Sequence, residues 1–402
     1  MYKKRWLSKK IKESLNVCPV IVITGARQTG KTTFLLNEKP FKDWRYFNLD
    51  NFDTLSRAQK NPESLISAEK RIVIDEVQRV PSLLLVIKEY VDRRKDAQFV
   101  LSGSANILLM KAVSETLAGR SIYFDLLPFA YREWKEEKTP SWFFRIFDGY
   151  LPKETEFKQP DITKIMLKGF MPRVLRIRTL KKALLWWDGY TKTYIERDLR
   201  DISKISYLSD YKRLMEILSI RTGSLINESE ISNILGISQP TIHRYINTLE
   251  VSNLYIKVKP YLKNYSKRIV KAPKGYFIDP GLTFYLSGYK KNDIPKEFLG
   301  HIFENMVLLH LKILSSLVDG EVYYWRYRGG IEREVDFIFY YNRTPLPIEV
   351  KFKENIKFRD IEGLELFMEK NKDSKFGIVV YIGGKVKFIT RNILAIPWNM
   401  LC

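Results

Sequence analysis

Hydrophobic positions are spaced differently in successive parts of the chain. Short apolar runs at VIVIT (20–24), RYFNLD (45–50), RIVID (71–75), AQFVLSGS (97–104) and SIYFDLLP (121–128) alternate with stretches of helical spacing. That alternation predicts a doubly wound parallel sheet over residues 1–135. Between about 136 and 205 strand character gives way to helical, aromatic-rich segments such as KKALLWWDGYTKTYIERDLRDI (181–202), a helical lid or linker. NESEISNILGISQPTIHRYINTLE (227–250) reads as a short helix, a GIS turn and a second helix beginning at Pro240. Ile231, Ile234, Leu235, Ile242, Ile246 and Leu249 recur at helical intervals and are expected to pack the two together. This predicts a winged helix over 206–285. In the remainder, 286–402, a helix (298–314) precedes strands at 321–328, 332–341 and 346–352, then a helix (358–371) and a strand (376–383).

The first apolar run leads into Gly25-x-x-x-x-Gly30-Lys31-Thr32, a phosphate-binding loop in its strand–loop–helix setting. Its glycines let backbone N–H groups face phosphate oxygens, with Thr29 and Thr33 in the same cradle. Lys31 neutralises the β and γ phosphates of ATP, and the Thr32 hydroxyl is a ligand for Mg²⁺. RIVIDEVQ (71–78) delivers Asp75 and Glu76 at the end of a strand. Asp75 suits the Mg²⁺ shell and Glu76 suits orienting or deprotonating the attacking water. Ser102 and Ser104 fall where the fourth strand ends, either as γ-phosphate sensors or as ordinary turn serines.

Near the C-terminus, VDFIFYYNRTPLPIEVKFKE (335–354) holds two strands around an NRTP turn. Period-two alternation places Val335, Phe337 and Phe339 on one face and Glu334, Asp336 and Ile338 on the other, while Glu349 and Lys351 share a face of the next strand. A hairpin sets Asp336 beside the Glu349/Lys351 pair. Two converging carboxylates suit Mg²⁺ or Mn²⁺, with Lys351 orienting or deprotonating water for attack on a phosphodiester. An ordinary surface ion pair is the competing explanation. Glu304 stands in the mostly apolar helix 298–314, where a buried acid needs a metal, a cation or water.

Charge changes the picture in the middle of the chain. Lys and Arg total 68 against 46 Asp and Glu, a formal net charge of +22, which favours a polyanionic partner. Gln239, Thr241, His243 and Arg244 open the second helix of the helix-turn-helix pattern, where groove edges and phosphates are reached in DNA-binding examples. Lys263, Lys267 and Arg268 follow in an acid-free, tyrosine-rich stretch that resembles a basic wing. Winged helices also serve as protein-binding modules, so a protein partner stays open. With Cys18 and Cys402 the only cysteines and three histidines, a disulfide framework and a zinc site are not expected. No run reaches the roughly 20 apolar residues of a membrane span. A cytoplasmic protein with no membrane association is the expectation.

On GARQTGKTT (25–33), IDEVQRVPSLL (74–84), LSGSANILL (101–109), LAGRSIYFDLLPFAYREW (117–134) and the C-terminal acids, the chain resembles a family of archaeal and bacterial AAA+ type ATPases bearing a C-terminal domain related to PD-(D/E)xK nucleases. Val335 departs from the proline of that motif's name. The resemblance implies a P-loop ATPase domain, a winged helix and an α/β restriction-endonuclease-like domain. It also implies that Glu304 joins the metal set with Asp336 and Glu349, and that Arg120 is a trans-acting arginine finger in a homo-oligomer; a solvated loop arginine is the alternative. The expected function is ATP hydrolysis coupled to a metal-dependent, nuclease-like domain acting on DNA. The rival is an ATP-dependent signalling or assembly switch with an inert C-terminal domain and a protein partner.

Overall fold

The computed structural model describes residues 2–67, 69–103, 115–194, 208–262, 271–327, 329 and 332–402. Two compact units result, one of residues up to Phe129 with Thr248–Leu254, the other of the remaining described residues from Ala130 onward.

The first unit is organised by five parallel strands: β1 (Val20–Thr24), β2 (Arg45–Asn48), β3 (Arg71–Asp75), β4 (Gln98–Ser102) and β5 (Ser121–Asp125), in the order β2-β3-β4-β1-β5. β1, β3 and β4 read as near-continuous apolar runs because both faces of a parallel sheet are covered, and Val20, Ile21, Val22, Ile23, Ile72, Val73 and Ile74 are fully buried. Leu83, Leu84, Ile87 and Val91 of the helix Leu83–Arg93 close one side of this core. Sequence neighbours β1 and β2 lie apart, with β4 and β3 between them. Such a topological switch leaves a crevice at the carboxyl ends of the strands, where open α/β sheets bind ligands.

The helices Glu228–Leu235, of the second unit, and Gln239–Val251, whose residues from Thr248 belong to the first, are joined through Gly236, whose φ of 68° suits the left-handed C-cap. Ile231, Leu235, Ile242 and Ile246 are buried as expected, but Ile234 is 52% exposed. The helix has only a narrow apolar stripe, and Ile234 lies beside it. A two-stranded antiparallel ribbon follows, β6 (Tyr255–Val258) with β7 (Lys274–Phe277).

Beyond it, the helix Lys296–Val318 packs on a six-stranded mixed sheet of β8 (Glu321–Tyr327), β9 (Arg333–Tyr341), β10 (Thr344–Lys351), β11 (Gly377–Tyr381), β12 (Lys387–Phe388) and β13 (Ile393–Pro397), ordered β12-β13-β11-β10-β9-β8. β8, β9 and β10 form an antiparallel meander and β10 pairs parallel with β11 after the helix Glu362–Lys370. The helix Lys296–Val318 is long and apolar enough to cross a membrane, yet 72% of its apolar window is buried within the fold. It also holds buried Glu304, Asn305 and His310, so its apolar surface belongs to the core.

One strand departs from simple alternation. Tyr323 faces Ile338 while Trp325 faces Val335, so β9 carries one residue more than β8 across the same interval. This bulge reverses the side-chain parity. Val335 and Ile338 therefore share one apolar cluster with Leu364 and Phe367, contrary to the opposite faces expected from strict alternation. Phe337 instead approaches Tyr276, on the side reached by Glu334 and Asp336.

Candidate functional site

The loop after β1 has the backbone that phosphate binding demands. Gly25 has φ 138°, and a Cβ there would stand 2.5 Å from the Leu126 carbonyl oxygen, so only glycine fits the turn. Gly30 (φ 97°) opens the helix Lys31–Asn37. Lys31 is buried, its Nζ donating to the carbonyls of Gly25 (2.9 Å) and Ala26 (3.0 Å), and the Thr29 hydroxyl donates to Ala26 O at 2.9 Å. Arg5 ties this loop to the segment after β5, donating to the carbonyls of Thr29 (3.2 Å), Leu127 (2.6 Å) and Pro128 (3.2 Å), with its guanidinium 4.1 Å from the Phe129 ring.

Across from the loop, Asp75 ends β3 and is 1% exposed. Its Oδ2 accepts from the Thr32 hydroxyl (2.6 Å) and the Tyr46 hydroxyl (2.8 Å). The two groups suited to Mg²⁺ therefore already face each other beneath the loop. Burial and the Asp75 carboxylate both hold Tyr46 protonated, keeping it a donor. Glu76 lies in the left-handed region (φ 58°) and accepts a hydrogen bond from the Gln78 amide. Ser102 ends β4 in register with Asp75; its hydroxyl is buried and has no partner among the described residues. Thr33 is exposed on the helix's first turn.

A second constellation forms within the other unit. Glu304, from the helix Lys296–Val318, accepts from the Tyr276 hydroxyl (2.5 Å) and lies 3.3 Å from Lys274 Nζ, both on β7. The bulged strand β9 supplies Glu334, which pairs with Lys274, and Asp336, whose Oδ1 is 3.9 Å from it. Asp336 Oδ2 accepts the Val350 N–H at 2.8 Å, which anchors it against β10. There, Lys351 donates to Glu349 Oε1 at 2.6 Å, while the buried Glu349 Oε2 has no partner among the described residues. Gly223 closes the rim, where a Cβ would stand 3.2 Å from Glu304 Oε2 and 3.3 Å from His301 Nδ1.

Electrostatics separate these acids. Burial raises Glu304, but Lys274, His301 and Tyr276 outweigh it and hold the carboxyl at about 2. Asp336 is driven well above the ordinary range by burial and by Glu349 and Glu304. Glu349 is raised by burial, with Lys351 and Lys274 opposing. Burial would lower Lys351, yet Glu349 and Asp336 raise it, so it stays an ammonium. Glu304 is thus lowered while Asp336 and Glu349 are raised, according to the charges each one faces.

Comparison with known proteins decides the first constellation. Residues 18–135 match the AAA domain family. Residues 159–293 and 299–401 match two domains of unknown function, DUF8612 and DUF4143. An uncharacterized protein of Mycobacterium tuberculosis is 28% identical over 358 residues, covering 87% of this chain and 74% of its own. Another, from Methanocaldococcus jannaschii, is 26% identical over 410 residues, covering 97% and 86%. A Walker-type ATPase of Pyrococcus abyssi superposes with a TM-score of 0.44 at 18% identity, over 71% of this chain and 96% of that one. The parallel sheet, the glycine loop and the Asp75–Thr32 contact together make the first unit an ATPase-like AAA domain.

Within this AAA domain, Gly25, Thr29, Gly30, Lys31, Thr32, Asp75, Glu76 and Ser102 gather at the carboxyl end of the sheet. Arg120 does not. It precedes β5 at the opposite end, with its carbonyl accepting from Val20 N–H and its guanidinium gripping Asp92 in two hydrogen bonds (2.6 and 3.0 Å). From there it cannot reach its own chain's nucleotide. Tyr46 and Arg5 carried no signal in the sequence, because only the pairing of β2 with β3 and the path of the N-terminal segment bring them to the acid and the loop.

Glu304, Asp336, Glu349 and Lys351 do come together, and Lys274, Tyr276, Glu334 and His301 join them. The lysine stood in the sequence as one cation among many in the wing. On the helix Gln239–Val251, Gln239, His243 and Arg244 are exposed, and His243 meets Glu228 at 3.0 Å. Thr241 is half-buried and accepts from the Ser238 hydroxyl at 2.9 Å. Ser104, Lys263, Lys267 and Arg268 lie outside the described residues.

Proposed function

We propose that the chain is a Mg²⁺-dependent ATPase whose nucleotide cycle governs a nuclease-like site acting on DNA. The observation that carries this reading is the convergence of Glu304, Asp336, Glu349 and Lys351, from a helix and two strands, on one side of the mixed sheet. In the AAA domain, the loop N–H groups and Lys31 bind the β and γ phosphates of ATP, and Thr32 and Asp75 would hold Mg²⁺. Glu76 accepts the proton of the attacking water, and Ser102 donates its free hydroxyl to the γ phosphate. Arg120 acts on a neighbouring subunit's nucleotide in a homo-oligomer.

At the carboxylate cluster, Glu304, Asp336 and the unpartnered oxygen of Glu349 would hold Mg²⁺ or Mn²⁺. A divalent ion there supplies Lewis-acid stabilisation of a phosphodiester under attack. Lys351, kept charged by Glu349, orients the scissile phosphate and the developing negative charge. DNA would be delivered by the exposed helix bearing Gln239, Thr241, His243 and Arg244, acting as a winged helix with Lys263, Lys267 and Arg268. Incubation of the protein with supercoiled, linear, single-stranded and branched DNA and Mg²⁺ or Mn²⁺ tests this. Cleavage that disappears in Asp336→Ala is expected; DNA left intact under every condition refutes the nuclease assignment.

One observation favours the rival, an ATP-driven switch with an inert C-terminal domain. Among the described residues no three His, Cys, Asp or Glu side chains form a ready metal cage. A protein partner captured stably in place of salt-sensitive DNA binding would establish that alternative.

A further inference from the structure

The carboxylates of the second constellation are arranged around a side chain, Lys274. It is 4% exposed, and its Nζ lies 3.3 Å from Glu304, 3.9 Å from Asp336 and in direct contact with Glu334. Its ammonium also lies 5.9 Å from the centroid of the Tyr324 ring. Lysine is seldom buried to this degree, and an ammonium so placed needs compensating charge. The residue comes from β7, paired with β6 (Val258 opposite Lys274), and not from the mixed sheet that carries the acids Glu334, Asp336 and Glu349. Two of the acids that a divalent ion would use, Glu304 and Asp336, thus already face a cation belonging to another element. The third, Glu349, is turned towards Lys351 by one oxygen, and its other oxygen is buried without a partner among the described residues.

We propose that Lys274 is the resident cation of this cluster and that a divalent ion binds only by taking Glu304 and Asp336 from it. This rests on the metal-dependent reading of the site and adds its control. Metal entry and the inward placement of the Lys274 ammonium are mutually exclusive, so any event that withdraws this side chain opens the site. Two charges cannot share these oxygens, because an ammonium and a divalent ion about 4 Å apart repel strongly even in a partly hydrated interior. Once Glu304 and Asp336 are taken, Lys274 keeps Glu334, whose side chain is partly exposed, and its ammonium moves with that contact towards water.

Mn²⁺ alone is the probe, with the full-length, nucleotide-free protein. Binding followed by electron paramagnetic resonance should be about tenfold tighter or more in Lys274→Met than in the unaltered protein, because an opposing charge is removed. Adding Asp336→Asn to Lys274→Met should abolish that gain, which separates the cluster from the phosphate-loop site. Equal or weaker Mn²⁺ binding by a folded Lys274→Met protein overturns the proposal. Should that variant not fold, amine labelling of the unaltered protein read by mass spectrometry decides. Lys274 should be protected without metal and labelled when Mn²⁺ is bound. Protection that persists with Mn²⁺ bound overturns the proposal, as does failure of any of these proteins to bind Mn²⁺. If Mn²⁺ displaces Lys274 but DNA stays intact, the competition stands and the nuclease reading falls.

Discussion

His310 lies on the helix that presents Glu304, and its protonation should release that helix from its surroundings. The imidazole is 1% exposed and packs edge-on to Phe170 with centroids 5.0 Å apart. Its Nδ1 donates to the Met306 carbonyl (2.7 Å) and its Nε2 accepts the Tyr131 N–H (2.9 Å). Both nitrogens are thus committed to the neutral form, since a second proton would set N–H against N–H. Burial lowers its pKa from 6.5 to about 4, with the Met306 carbonyl opposing. A histidine depressed in the fold binds its proton more readily when unfolded. Its contribution is therefore complete above pH 6.5 and is lost as the pH falls towards about 4. At 1.36 kcal/mol per pKa unit, the full loss is about 3 kcal/mol, a large share of a typical domain's stability. Urea unfolding from pH 7.5 to 4.5, compared between the unaltered protein and His310→Gln, isolates this group from other titrations. The unaltered protein should lose stability more steeply below pH 6.5. Parallel pH profiles for the two proteins would refute the assignment of a locked neutral imidazole.

Other substitutions test the two constellations singly. Gly25→Ala should abolish ATP binding, measured with a fluorescent nucleotide, because its Cβ would lie 2.5 Å from Leu126 O and must displace the loop or the chain after β5. Tyr46→Phe removes one of two donors to Asp75 Oδ2, and unfolding of the AAA domain should become easier by about 1.5–3 kcal/mol, as for a hydrogen bond to a charged group. Glu304→Ala strands Lys274 and the Tyr276 hydroxyl in the interior and should destabilise the second unit by about 3–5 kcal/mol in chemical denaturation. Unfolding that is indistinguishable from the unaltered protein would show that other acids suffice for Lys274.

The nucleotide site was legible in the sequence because its chemistry is local. Gly25 through Thr33 is one continuous turn into a helix, and Asp75–Glu76 directly ends an apolar strand, so spacing alone conveys most of the geometry. Tyr46 and Arg5 were not legible. Their contacts depend on β2 lying beside β3 and on the N-terminal segment crossing the phosphate loop. The hairpin of β9 and β10 also followed from its turn and alternation, and Asp336 does meet β10. The bulge in β9 did not, because an extra residue is a property of pairing with β8 that no local pattern encodes. Lys274 was hidden for a third reason: a lysine in a strongly basic stretch looks solvated until tertiary packing surrounds it with acids.

If ATP at the AAA domain controls phosphodiester cleavage at the carboxylate cluster, as proposed, the two activities separate by substitution. The most direct measurement follows ATP hydrolysis and DNA cleavage in the same reaction for the unaltered protein, Lys31→Ala and Asp336→Ala. The account predicts that Lys31→Ala stops hydrolysis and makes cleavage insensitive to ATP, whereas Asp336→Ala stops cleavage and leaves hydrolysis unchanged. Hydrolysis without cleavage of any DNA by the unaltered protein, or loss of hydrolysis in Asp336→Ala, would contradict it.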